Sequence, residues 1–99
     1  MPEKTLRVVA RITARPDKVE ELRAVLSGLI EPTRKEKGCI RYELLQNNAD
    51  PTDFTFVEEW ESDAALDAHL DSVHIEDAVA KMADLVAGEA DIRRYSVVG

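Results

Sequence analysis

From Leu6 to Ala14 the chain alternates without a break. Leu6, Val8, Ala10, Ile12 and Ala14 fall on one side, and Arg7, Val9, Arg11 and Thr13 on the other. A period of two predicts a strand with one face in a core. Arg15-Pro16-Asp17 interrupts it, and a helical period follows, with Val19, Leu22, Leu26, Leu29 and Ile30 on one stripe. Glu20 and Glu21 occupy the early turns, where the helix dipole favours acids. Gly28 and Pro32 weaken this helix and predict a kink or restart, and Gly38 is expected to cap its end.

Cys39–Gln46 reads as a second strand and Phe54–Trp60 as a third. The turn formers of residues 47–53 join them into a hairpin. Ser62 is placed to cap a helix carrying Ala65, Leu66, His69 and Leu70. Ser72 restarts it with an apolar stripe of Ile75, Val79, Met82 and Leu85 or Val86, and Gly88 stops it. Ile92–Val98 closes the chain as a fourth strand. The order β-α-β-β-α-β is that of a ferredoxin-like α+β fold, a four-stranded antiparallel sheet with helices on one face. The other face then lacks cover, and apolar residues assigned to both faces (Val9, Tyr42, Phe54, Trp60, Tyr95) point to a second copy as its cover. The space between sheet and helices could hold a ligand.

Length changes this picture little: 99 residues make one domain, spanning 1–99, whose thin core a dimer would help. One Cys excludes a disulfide scaffold. No apolar run approaches the roughly 20 residues of a membrane span, and Met1-Pro2-Glu3-Lys4 does not resemble a leader, so a cytoplasmic protein is expected. Charge matters more. The net charge of −7 argues against nucleic acid as a partner. Residues 1–49 carry 10 basic and 7 acidic side chains, whereas 50–91 carry 13 acidic ones and only Lys81. The two halves could pair between copies, or the acids could simply form a solvated helix face.

Thr33-Arg34-x-Glu36-x-Gly38-Cys39-x-x-Tyr42-Glu43-Leu44, Glu58-x-Trp60-x-Ser62, and Ala65-Leu66-x-Ala68-His69 with His74 occur in this order. The pattern resembles the antibiotic biosynthesis monooxygenase family over about residues 6–95. That resemblance implies a dimeric α/β barrel, but the family spans quinol and anthrone oxygenases, haem-degrading enzymes and a sugar-phosphate isomerase, so function must be argued from the site. The haem-degrading members carry an Asn on the first strand, which Leu6–Ala14 lacks.

Six residues are candidates for chemistry. His69 follows the pattern that precedes a pocket-lining His in the family, and an imidazole is the natural base for a phenolic proton. Trp60 is, by the same resemblance, a wall on which a flat aromatic stacks; otherwise it is a core or interface residue. Tyr42 shares a strand face with Ile40 and Leu44; its hydroxyl either satisfies a backbone group, the favoured reading, or donates to a substrate oxygen, and His74 could orient the substrate or merely cap or pack. Glu58 shares a face with Phe54, Phe56 and Trp60; it either pairs with Arg11 or Arg94, the favoured reading for a buried carboxylate, or lines the pocket as an acid or base. Arg11 is thereby a candidate for the substrate site. The i, i+5 spacing of His69 and His74 does not place two imidazoles on one helix face, so no metal is expected. Cys39 has no sequence-adjacent base and reads as a small hydrophobe.

The leading expectation is a cofactor-independent oxygenase acting on a hydroquinone or anthrone with O₂. A non-catalytic ligand-binding or stress-response dimer is one alternative. An isomerase of a small phosphorylated metabolite is another, with Arg7, Arg11, Arg15, Arg93 and Arg94 as possible phosphate anchors.

Overall fold

The computed structural model describes residues 5–99, so the opening Met1–Lys4 segment lies outside the described residues. The elements are β1 (Leu6–Thr13), α1 (Val19–Ser27), α2 (Ile30–Arg34), β2 (Cys39–Gln46), β3 (Asp53–Trp60), α3 (Asp63–Leu70), α4 (Val73–Met82) and β4 (Asp91–Tyr95). The strands form one antiparallel sheet in the order β2-β3-β1-β4, the ferredoxin-like arrangement read from the pattern.

The alternation in β1 does what it predicts. Val8, Ala10 and Ile12 are buried and pack with Phe54, Phe56 and Trp60 of β3 against Leu22, Leu26, Leu29 and Leu66. Each such large apolar side chain contributes about 1.5–3 kcal/mol on burial. The restart after Gly28 is present, and Pro32 falls in the first turn of α2, where a missing N–H does no harm. Arg34 at the end of α2 donates from Nε and Nη2 to the Tyr42 carbonyl at 3.1 and 3.0 Å, tying this helix to β2. Ser62 caps α3, its hydroxyl accepting from the Ala65 N–H at 3.1 Å.

Several details depart from the pattern. Tyr42, Phe54, Phe56 and Trp60 all lie on the helix face; of the aromatics only Tyr95 is on the other, opposite Arg7. That open face carries Val9, Val57 and Leu45 among charged residues. Ile40 does not share the buried face of Tyr42, because Cys39 pairs with Trp60 and Arg41 with Glu59, leaving Ile40 as the extra residue of a bulge and half exposed. In α4 the core position belongs to Ala78, and Val79 is exposed. The helix ends at Met82, well before Gly88, because residues 85–87 pair with 13–15: the Arg15 N–H donates to the Leu85 carbonyl and the Ala87 N–H to that of Thr13. β4 stops at Tyr95, since its pairing with β1 has reached Arg7 and that strand begins one residue earlier.

Gly38 does not cap a helix. It stands at the entrance to β2 with φ +90°, and a Cβ there would meet the Ala65 Cβ at 2.6 Å. Backbone conformation and close approach to α3 both require glycine. The basic first half finds acids within its own chain: Arg7 pairs with Glu59 at 3.6 Å and Arg11 with Asp53 at 3.1 Å.

Candidate active site between the sheet and the helices

A cavity of about 90 Å³ lies between the helix face of the sheet and helices α1, α3 and α4. Its wall is apolar except for three side chains: Tyr42 of β2, Glu58 of β3 and His69 of α3. Tyr42 and Glu58 are direct cross-strand partners in the sheet register, which sets them side by side on the cavity face.

His69 is only 2 % exposed. Its ring sits between Trp60, with centroids 4.7 Å apart, and the edge of Tyr42 at 5.5 Å. The turn between α2 and β2 brings Glu36 to it, with Oε2 2.7 Å from His69 Nδ1. The same oxygen lies 2.7 Å from His74 Nε2. A carboxylate can only accept, so both ring nitrogens donate to it when the imidazoles are neutral. The Nδ1–H of His69 is then fixed on Glu36, which leaves its Nε2 as a lone pair. This is the orienter-and-base logic of a general-base histidine. Burial holds the His69 pKa below its usual value, outweighing the opposing pull of Glu36, so the ring is neutral near pH 7.

The convergence of His69 and His74 corrects the reading of their spacing. The i, i+5 argument holds for a continuous helix, but α3 ends at Leu70 and α4 begins at Val73. Between them the Ser72 hydroxyl and N–H both donate to the His69 carbonyl, at 2.6 and 3.1 Å. The turn thus formed brings His74 to Glu36. Glu36, His69 and His74 are the described residues whose ligating atoms gather closely enough to hold a cation.

Glu58 does not form the expected ion pair. Arg11 is on the open face and bound to Asp53, so it does not reach the cavity. Arg94 shares the helix face, but at the sheet edge it donates to Asp63 and Asp67 of α3, both at 2.8 Å. Glu58 instead accepts from Trp60 Nε1 at 2.8 Å. Burial pushes its carboxyl up to about 7; the Trp60 N–H opposes that rise and the Glu36 charge adds to it. Trp60 is fully buried and lies behind Glu58 and His69 rather than on the cavity wall. Its contribution is to hold both. Burial also raises the Tyr42 phenol, which keeps its proton and is available as a donor. The Cys39 thiol is half-buried and its pKa is raised by burial, which does not suit a nucleophile.

A family model described as antibiotic biosynthesis monooxygenase matches residues 5–81. The chain belongs to the antibiotic biosynthesis monooxygenase family. Protein sll1783 of Synechocystis is 38 % identical over 90 residues; the match covers 91 % of this chain but only 61 % of that longer relative. Rv0793 of Mycobacterium tuberculosis is 39 % identical over 79 residues, covering 80 % of this chain and 77 % of its own. The solved structure of PA3566 from Pseudomonas aeruginosa superposes with a TM-score of 0.91 at 31 % identity, over 97 % of this chain and 96 % of that one. The monooxygenase family model ends just before the last residue of α4, so it includes Glu36, Tyr42, Glu58, Trp60, His69 and His74. Of these, Glu36 was present in the sequence motif without an assigned role. No spacing rule connects it to a histidine 33 residues away; only the folded turn does.

Proposed function

We propose that this chain is a cofactor-independent monooxygenase that oxidises an electron-rich aromatic, with a hydroquinone preferred. The observation that carries this reading is a buried histidine, oriented by a carboxylate, on the wall of an apolar cavity. The family, and the provisional monooxygenase name of Rv0793, favour it. His69 Nε2 takes a phenolic proton, and the resulting electron-rich ring reduces O₂ itself. One oxygen atom enters the ring as a hydroxyl group and the other leaves as water. The hydroquinone becomes a hydroxyquinone, so the substrate supplies every electron and no external reductant is needed. Tyr42 and the protonated form of Glu58 donate to the substrate oxygens. Ligand sites commonly occupy about 300–1,000 Å³; a cavity of about 90 Å³ favours a single ring over a three-ring anthrone.

The isomerase reading gains no support, because no Lys or Arg lines the cavity among the described residues. Two copies meet through the open sheet face, where Tyr95 and Leu45 are half exposed. Light scattering should then give twice the 11.1 kDa chain mass.

Oxygen uptake by chelator-treated protein against a panel of one- to three-ring hydroquinones and anthrones tests the reaction. Uptake should survive chelation and fall by roughly 10²–10⁴-fold in His69→Ala. Absence of uptake above the spontaneous rate overturns the reading in favour of a binding protein, and a loss under twofold in His69→Ala removes that residue as the base.

A further inference from the structure

We infer that Glu36, His69 and His74 form a binding site for one divalent first-row transition-metal ion. Three features carry this. First, the donors are two imidazole nitrogens and one carboxylate oxygen, a set suited to Zn²⁺, Fe²⁺, Co²⁺ or Ni²⁺ and not to Mg²⁺ or Ca²⁺, which take oxygen ligands. Second, they come from three separate elements (the α2–β2 turn, α3 and α4), yet the three ligating atoms lie within 4.8 Å of one another. Third, the arrangement can open. Metal bonds of about 2.0–2.2 Å place neighbouring donors roughly 3.0–3.4 Å apart, against the present 2.7 Å from Oε2 to each nitrogen.

An outward swing of Glu36 by about half an ångström supplies that difference, while the two imidazole nitrogens, which lie within 4.8 Å of each other, draw together to hold one ion. Among the described residues its carboxylate makes no hydrogen bond except those to the two histidines, and its side chain is 17 % exposed. His74 is the more accessible imidazole and gives the ion its path inward. Both histidines can ligate as neutral rings. The proton on His69 Nδ1 moves to Nε2, that on His74 Nε2 moves to Nδ1, and the vacated nitrogens hold the metal. Three protein ligands leave the remaining coordination positions to water.

The inference does not depend on the proposed oxygenation, since binding is read on the protein alone. Chelator-stripped protein is titrated with Zn²⁺ by calorimetry and with Co²⁺ by visible absorption, excess Mg²⁺ being present throughout. One ion per chain is expected, with ligand-field bands for Co²⁺ and a raised melting temperature with Zn²⁺. Glu36→Gln and His74→Gln should each weaken binding by roughly 100-fold or more, and Cys39→Ser should leave it unchanged. Saturable binding that ignores Glu36→Gln and His74→Gln, or that disappears in Cys39→Ser, overturns the site, as does no binding by the wild-type chain. His74→Gln alters a part-exposed side chain, so the test survives if Glu36→Gln fails to fold.

Discussion

Glu58 makes the stability of this protein depend on pH in a direction that one substitution can isolate. Its carboxyl titrates near 7 in the folded chain, against an ordinary 4.5. Folded and unfolded states are both protonated below pH 4.5. Between 4.5 and 7 the unfolded chain releases its proton while the folded chain holds it, so stability falls as pH rises through this window, and the loss is complete above 7. The full shift corresponds to about 3 kcal/mol at 1.36 kcal/mol per unit, most of which falls between pH 5 and 8. Glu58→Gln removes the titration but retains a carbonyl oxygen to accept from Trp60 Nε1. Urea melts of both proteins at half-unit steps from pH 5 to 8 should therefore diverge. The variant gains about 2–3 kcal/mol relative to the parent across that range, with other titrating groups cancelling in the difference. A difference that stays flat within about 0.5 kcal/mol would show that Glu58 is hydrated or paired, and would remove it as a neutral donor in the cavity.

Gly38→Ala should destabilise the chain by about 3 kcal/mol, seen as a melting temperature lower by on the order of 10 °C; adding Ala65→Gly should restore the part due to the 2.6 Å contact and leave the part due to φ. Arg11→Ala should change stability by less than about 1 kcal/mol and leave oxygen uptake intact, because its partner is Asp53 on the uncovered side of the sheet. A tenfold loss of uptake would instead place the reaction on that side.

The period of two in β1 and β3 and the turn-rich link before β3 were sufficient to place the sheet. Burial of alternate residues is a local consequence of pleating, and it needs no knowledge of the partner. The same signal failed in β2, because a bulge at Ile40 shifts the parity and sequence does not mark it. Parity also decides the fate of Arg11. Val8 stands opposite Glu58 in the register, so an odd-numbered side chain of β1 faces away from that carboxylate. Strand alternation excludes the Arg11–Glu58 pair once the register of β1 against β3 is known.

The histidines show the opposite limit. Their separation of five residues carries one meaning on a straight helix and another across a turn, and Ser72 was legible as a restart of the helix without its consequence for His74. Once the helix breaks there, two imidazoles and a distant carboxylate share one oxygen. That sharing makes the proposed base and the inferred metal mutually exclusive. His69 Nδ1 cannot hold a proton for Glu36 and a metal ion together, and an ion there forces the remaining proton onto Nε2, converting the proposed base into a donor. Zn²⁺ should accordingly suppress oxygen uptake over the same concentration range in which it binds, with chelator restoring both. Uptake undiminished at full occupancy would show that the proton is taken elsewhere than at His69.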